Sequence, residues 1–209
     1  MTFRFERKYP GHISKIFNYY SFANLNNFVK SYPSREVNSI YFDKNYILAN
    51  QNLDGVSEKT KIRLRWYNST SDPQLEFKIK KGFLNRKEIY KFNLLKDFNI
   101  DQLIDKCLVI MKNKQFFNFR PISYVSYERE YFQHLFYKDL RLTIDKKINF
   151  SSFNLVNITE RENIVMELKY DPKIDNQIMN LLEFKQFNIK LQKYSKYIQS
   201  LIFIKKNII

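Results

Sequence analysis

Glu6 and Lys8, Glu76 and Lys78, and Glu167 and Lys169 repeat one spacing, a carboxylate two residues ahead of an ammonium. Between the first and second pairs runs Lys59-Thr60-Lys61-Ile62-Arg63-Leu64-Arg65, in which every other residue is a cation. Side chains alternate between faces along an extended strand, so each pair shares a face, and Lys59, Lys61, Arg63 and Arg65 form a single row. One such pair on a solvated sheet is an ordinary surface ion pair and contributes little. Three pairs beside an unbroken cation row favour phosphoryl transfer from a tri- or polyphosphate. Cations neutralise the phosphate chain and the charge spread over the transferred group, while carboxylates hold the hard divalent metal that bridges phosphate oxygens. Arginine brings bidentate geometry to this task and lysine a point charge. Neither cysteine nor histidine is required, and no metal-ligand spacing joins His12 to His134.

The elements that must position these residues are strands. Period-2 alternation marks eight of them, near 3–9, 37–43, 59–67, 74–80, 87–92, 121–131, 139–145 and 163–170. Apolar spacing of three and four residues marks helices near 12–31, 100–115 and 174–203. Most strands carry one charged and one apolar row. Arg4, Glu6 and Lys8 alternate with Phe3 and Phe5, and Gln74, Glu76, Lys78 and Lys80 with Leu75, Phe77 and Ile79. Arg141, Thr143 and Asp145 alternate with Leu140, Leu142 and Ile144, and Asn163, Glu167 and Lys169 with Ile164, Met166 and Leu168. Both faces of 121–131 are mixed, so the pattern assigns it no inside. An open antiparallel sheet, apolar face on helices and charged face in water, satisfies this pattern. So does a closed eight-stranded antiparallel β-barrel with the charged rows inward and the helices outside. Buried cations are costly unless paired, and a phosphate chain with its metal would give the barrel a reason to enclose them.

The 209 residues fit one domain, 1–209, of class α+β, and the low glycine and proline counts of 3 and 5 agree with regular structure. A formal net charge of +15 predicts an anionic partner such as nucleic acid, anionic lipid or polyphosphate. Nucleic-acid binding calls for exposed aromatics interleaved with the basic residues. Trp66 and Phe77 fall on the face opposite the cation row and read as core, so no nucleic acid is expected. Cys107 is the only cysteine, which excludes an intramolecular disulfide and a cysteine zinc site and makes a reducing cytoplasm the expected compartment. No apolar run follows Met1 and no stretch reaches the roughly 18 apolar residues of a membrane helix, so neither a signal peptide nor a span is expected.

Eight pieces of the chain carry a family resemblance: FERKY (5–9), VNSIYFD (37–43), KIRLRWY (61–67), LEFKIK (75–80), YER (127–129), LRLTID (140–145), VMELKY (165–170) and KYSKYIQS (193–200). In these, and in their order, the chain resembles the catalytic VTC domain of the vacuolar transporter chaperone proteins, within the triphosphate tunnel metalloenzyme superfamily. The resemblance implies the closed barrel, a tunnel that binds triphosphate with Mn²⁺ or Mg²⁺. In VTC-type members it implies a metal-dependent polyphosphate polymerase that uses the γ-phosphate of ATP. It implies Arg63, Arg65, Lys78, Arg129, Arg141 and Lys196 as the cations that carry the reaction, with Lys8 and Lys91 as further phosphate-binding lysines. Glu167 is the implied principal metal ligand, and Lys196 helps to close the tunnel. The charged rows add Lys61, Lys80 and Lys169 as substrate-binding cations and Glu6 and Glu76 as further metal-ligand candidates, with Lys59 and Lys61 at the tunnel mouth.

One departure matters. The superfamily usually begins ExExK, whereas Arg4-Phe5-Glu6-Arg7-Lys8 puts Arg4 in place of the first acid, which tilts the expectation from hydrolysis toward polymerisation. The expected partners are ATP and polyphosphate or triphosphate. With no SPX-type sensor and no membrane segment, regulation and export fall to partners, a membrane protein among them. A triphosphatase of the same fold, and a non-catalytic protein that binds polyphosphate or a nucleotide, stay open as alternatives.

Overall fold

The structure is a computed structural model that describes residues 4–68, 72–81, 84–92, 99–153, 157–158 and 162–208. Its strands are β1 (Phe5–His12), β2 (Phe28–Asp43), β3 (Glu58–Tyr67), β4 (Gln74–Lys81), β5 (Leu84–Lys91), β6 (Arg120–His134), β7 (Arg141–Ser152), β8 (Asn157–Ile158) and β9 (Asn163–Tyr170). Its helices are α1 (Ile16–Leu25), α2 (Ile47–Leu53), α3 (Ile100–Asn113), α4 (Asp175–Leu181) and α5 (Lys196–Ile208). Phe3, expected in the first strand, lies outside the described residues.

Hydrogen bonding orders the strands β1-β9-β7-β6-β2-β3-β4-β5, with β8 paired to β7. The pairs β1–β9, β9–β7, β7–β8, β2–β3, β3–β4 and β4–β5 are antiparallel. The α+β class and the antiparallel sheet with flanking helices are therefore as expected. The closed barrel is not: β1 and β5 end the path and do not pair with each other among the described residues. Alternation assigns the two faces of a strand and is identical in open and closed sheets, whereas closure depends on tilt and stagger that no single strand encodes. The end strand β5 carries Arg86, Lys87 and Lys91, charges of the kind that discourage an edge from pairing with another chain.

Two helix expectations are corrected. The span 12–31 holds a helix only to Leu25; Asn27 at φ 57° then takes the left-handed conformation that ends helices, and β2 begins at Phe28. The apolar spacing of Phe28, Val29 and Tyr32 mimics a helical stripe in what is a strand. The span 174–203 is likewise broken. A short 3-10 turn, Lys185–Phe187, ends at left-handed Asn188, and α5 starts only at Lys196. Helix α2 escapes the periodic signal because its seven residues make barely two turns, too short for a 3.6-residue period to show.

The chain forms two compact units. The first comprises Met1–Glu36, Tyr127–Asn149 and Thr159–Ser195. Its core joins Leu142, Ile144, Ile164, Met166, Leu168 and Tyr170 of β7 and β9 to Tyr19, Phe22 and Ala23 of α1 and Ile178 of α4. Gly11 lets α1 lie close to β1, since a Cβ there would collide with the Tyr19 hydroxyl. The second unit comprises Val37–Ser126, Phe150–Ile158 and Lys196–Ile209. Here Ile40, Phe42, Ile62, Leu64, Leu75 and Phe77 pack on Leu103, Ile104, Cys107 and Met111 of α3. Burial pushes the Cys107 thiol up to about 12, so it behaves as a small apolar core residue. In each unit the apolar row of the strands faces helices, and the charged row is left on the opposite face.

Phe22 is fully buried and its ring meets Phe28, Phe184 and Phe187. Phe22→Ala should cost about 3–5 kcal/mol in denaturant unfolding; a loss below about 1 kcal/mol would contradict this packing.

Candidate functional site

In the second unit the register of β2, β3, β4 and β5 turns the KxKxRxR row into a grid. Arg65 stands opposite Ser39 and Gln74, Arg63 opposite Tyr41 and Glu76, Lys61 opposite Lys78, and Lys59 opposite Lys80. On β5, Lys91 faces Gln74 and Lys87 faces Lys78. Strands β3 to β5 thus present eight cations and one carboxylate, Glu76, on this face among the described residues. Like charges directly opposite each other destabilise a sheet, and two such contacts, Lys61–Lys78 and Lys78–Lys87, lie side by side.

Glu76, a proposed metal ligand from its sequence spacing, is 1% exposed and is held by cations at both oxygens. Arg63 Nε donates to Oε2 at 2.6 Å and Lys87 Nζ lies 2.6 Å from Oε1. Burial alone would raise its pKa, but Arg63, Arg65 and Lys87 outweigh burial and bring it from 4.5 down to about 2. These contacts to Arg63 and Lys87 run across strands rather than along the E-x-K spacing. Arg65, 5% exposed, donates from Nε to Ser39 Oγ at 3.1 Å, and Arg63 Nη1 donates to the Tyr41 hydroxyl at 3.4 Å. Both arginines are thereby oriented, whereas Lys80, Lys87 and Lys91 are exposed.

Lys196 is the first residue of α5, and three contacts fix that helix within the second unit. The Tyr197 hydroxyl donates to Asp43 Oδ2 at 2.6 Å, Ser200 Oγ donates to Ser123 Oγ at 3.0 Å, and Phe203 packs on Phe150. Tyr197 also stacks on Tyr41, with ring centroids 4.9 Å apart. Asp43 is fully buried. Besides Tyr197 it accepts from the backbone N–H groups of Lys44, Leu48 and Ala49, so one carboxylate caps α2 and anchors α5. Burial, and then the bond to Asp43, push the Tyr197 hydroxyl far up and keep it protonated.

In the first unit the charges alternate. Lys8 stands opposite Glu167, which faces Thr143, while Glu6 stands opposite Lys169, which faces Arg141. Lys169 Nζ lies 3.5 Å from Glu167 Oε1, and Arg129 Nη2 lies 3.8 Å from Glu167 Oε2. Arg129 makes a two-pronged pair with Asp145, Nε to Oδ1 at 2.5 Å and Nη2 to Oδ2 at 2.7 Å. Burial would discharge this guanidinium, but Asp145 holds it charged. Lys8 Nζ donates to the Tyr194 carbonyl at 3.2 Å, and the Gln192 N–H donates to the Lys8 carbonyl at 3.0 Å, so segment 192–194 runs against β1. Glu6 and Arg141 are exposed.

Sequence spacing places Asp145 in a charged row and Tyr41 and Asp43 on the polar side of their strand without giving any of them a role, and it does not single out Lys87 or Tyr197. Only Asp43 left a local signal, an acid just ahead of a helix start. Both histidines are structural: His134 Nδ1 accepts from the Phe136 and Tyr137 N–H groups, and His12 Nδ1 accepts from the Ser14 N–H. Among the described residues no group of three or more His, Cys, Asp or Glu is placed to cage a metal. Glu167, within ion-pair distance of Arg129 and Lys169, offers a single carboxylate, the type of oxygen donor a hard cation such as Mg²⁺ takes. No described helix is long and apolar enough to cross a membrane.

The fold has solved relatives. A candidate adenylate cyclase from Vibrio parahaemolyticus is 14% identical, covers 95% of this chain and 98% of its own, and superposes with a TM-score of 0.55. A candidate adenylate cyclase from Bacillus halodurans is 12% identical over 95% of this chain and 96% of its own, with a TM-score of 0.55. A protein from Pyrococcus horikoshii is 12% identical over 95% and 98%, with a TM-score of 0.53. No curated protein matches the chain. The family model of the VTC domain matches residues 4–205, and the chain belongs to the VTC domain family, within the triphosphate tunnel metalloenzyme superfamily.

Proposed function

We propose that this protein is a polyphosphate polymerase that transfers the γ-phosphate of ATP to the end of a growing polyphosphate chain. The observation that supports this best is the placement of Lys61, Lys78 and Lys87 opposite one another on three adjoining strands. That register concentrates positive charge on one patch of the face, and a phosphate chain is a polyanion that would be drawn to it. Arg63, Arg65, Lys78, Lys61, Lys80 and Lys91 are the phosphate-holding cations of the second unit, and Lys8, Arg129, Arg141 and Lys169 those of the first. Lys196 adds its charge at the start of α5, where the helix dipole also favours an anion.

The acceptor phosphate is already anionic at neutral pH, so the transfer needs no dedicated base. An oxygen of the acceptor attacks the γ-phosphorus, the bond to the β,γ-bridging oxygen breaks, and ADP leaves. The cations contribute by aligning the two phosphates and by neutralising charge that develops on the transferred group. Glu167 would hold Mn²⁺ or Mg²⁺, with Glu6 the further candidate, and the ion would supply charge withdrawal from the phosphates. Glu76 has a different part: paired with Arg63 and Lys87, it holds Arg63 in place.

Purified protein incubated with ATP and Mn²⁺ or Mg²⁺ should yield a ladder of long polyphosphate on a gel. ADP with free phosphate alone would make it a hydrolase, and binding without turnover would make it a sensor. Arg141→Ala, at an exposed position, should lower kcat/KM by about 100-fold while changing stability by less than about 0.5 kcal/mol. Unchanged product formation would remove Arg141 from the site.

Glu76 also gives a stability signature. A carboxylate held below its unfolded pKa contributes stability that is present above about pH 4.5 and lost as pH falls toward about 2. The stability gap between wild type and Glu76→Gln should therefore be widest near neutral pH, by up to about 3 kcal/mol, and shrink below pH 4. Urea unfolding that shows a gap independent of pH between 7 and 3 would contradict the ion-pair role.

A further inference from the structure

In the first unit an aromatic and guanidinium cluster stands beside the cations and has no part in the core. Tyr131 follows Arg129 by two residues on β6, so alternation puts the two side chains on the same face, their Cα atoms about 7 Å apart along the strand. The Tyr32 ring, 62% exposed, meets the Tyr131 ring edge-on at a centroid separation of 6.2 Å and an interplanar angle of 88°. The Arg35 guanidinium lies 5.9 Å from the Tyr131 ring centroid, and Arg35 is itself exposed. Packing does not account for an exposed tyrosine here, since Tyr32 stands outside the buried cluster of its unit. Exposed aromatic rings and a guanidinium plane next to a phosphate-binding cation are the elements on which a nucleobase stacks.

We propose that Tyr32, Tyr131 and Arg35 form a stacking platform for the base of a nucleoside triphosphate, so that this protein prefers a nucleotide to inorganic triphosphate as donor. The inference rests on the reading that Arg129 binds phosphate. With phosphate on Arg129, a base two residues further along β6 lies within the reach of one nucleotide. Stacking accepts any base, because every base has a π-face. Selection is therefore for the presence of a nucleoside, and purine nucleotides are favoured over pyrimidine ones only by their larger stacking area. Arg35 adds a cation that is itself suited to stacking and to the ribose hydroxyls.

Calorimetric titration with a β,γ-imido analogue of ATP and with inorganic tripolyphosphate, both with Mg²⁺, tests this. Tyr32→Ala should weaken the analogue about tenfold and tripolyphosphate less than twofold, and Tyr32→Phe, which keeps the ring, should restore analogue binding to within about twofold. If wild type binds both probes and Tyr32→Ala binds both equally well, the platform is wrong while the phosphate-site reading stands. Equal weakening of both probes also overturns the platform, because it marks a loss of charge or fold rather than of a base contact. If wild type binds neither probe, the phosphate-site reading fails and the platform with it.

Discussion

Lys78 faces Lys61 on one neighbouring strand and Lys87 on the other, and everything on that sheet face follows from those contacts being enforced. Like-charge pairs directly opposite cost roughly 0.2–1 kcal/mol each. On the reverse face Ile62, Leu64, Leu75 and Phe77 are buried against α3, each burial contributing about 1.5–3 kcal/mol. The apolar side wins by a wide margin. Because a slip of one residue would turn every side chain to the wrong face, the core locks the register and the lysines with it. The face therefore keeps a concentration of positive charge that attracts an anion.

The first unit solves the opposite problem. Across β1 and β9 its charges alternate, Lys8 against Glu167 and Glu6 against Lys169, so acids and bases interleave there. What it fixes is direction. Asp145 grips Arg129 from two sides and aims the guanidinium, and the carbonyl of Tyr194 steers Lys8. In the second unit Glu76, Ser39 and Tyr41 do the same for Arg63 and Arg65, and buried Asp43 sets the start of α5 through Tyr197. Each arginine on which the proposed chemistry depends most is oriented by a neighbour, while Lys80, Lys87 and Lys91 stay exposed. That division suits a phosphate chain, which needs fixed forks at the reacting centre and diffuse charge along its length.

The faces were legible from single strands, because alternation of period two needs no knowledge of neighbours. The row Lys59, Lys61, Arg63 and Arg65 and its apolar reverse could be read directly, and so could the backing helix α3. Register could not: the sequence offered Glu76 as a metal-ligand candidate two residues from Lys78, whereas the structure pairs it across strands with Arg63 and Lys87. Closure could not be read either, since the strand order leaves β1 and β5 unpaired among the described residues. Long periodic stretches misled where left-handed asparagines interrupt them, at Asn27 and Asn188. Asp43, Asp145 and Tyr197 act through long-range contacts, so their local sequence carries almost no trace of what they hold.

Thermal unfolding of Lys78→Gln with and without inorganic tripolyphosphate tests the central claim most directly. If the lysine register serves a phosphate chain, the variant without added ligand unfolds within about 3 °C of wild type, as a change of under about 1 kcal/mol would give. The variant then loses most of the stabilisation that tripolyphosphate confers on wild type. A variant that unfolds several degrees lower without ligand and keeps the full tripolyphosphate effect would contradict the account.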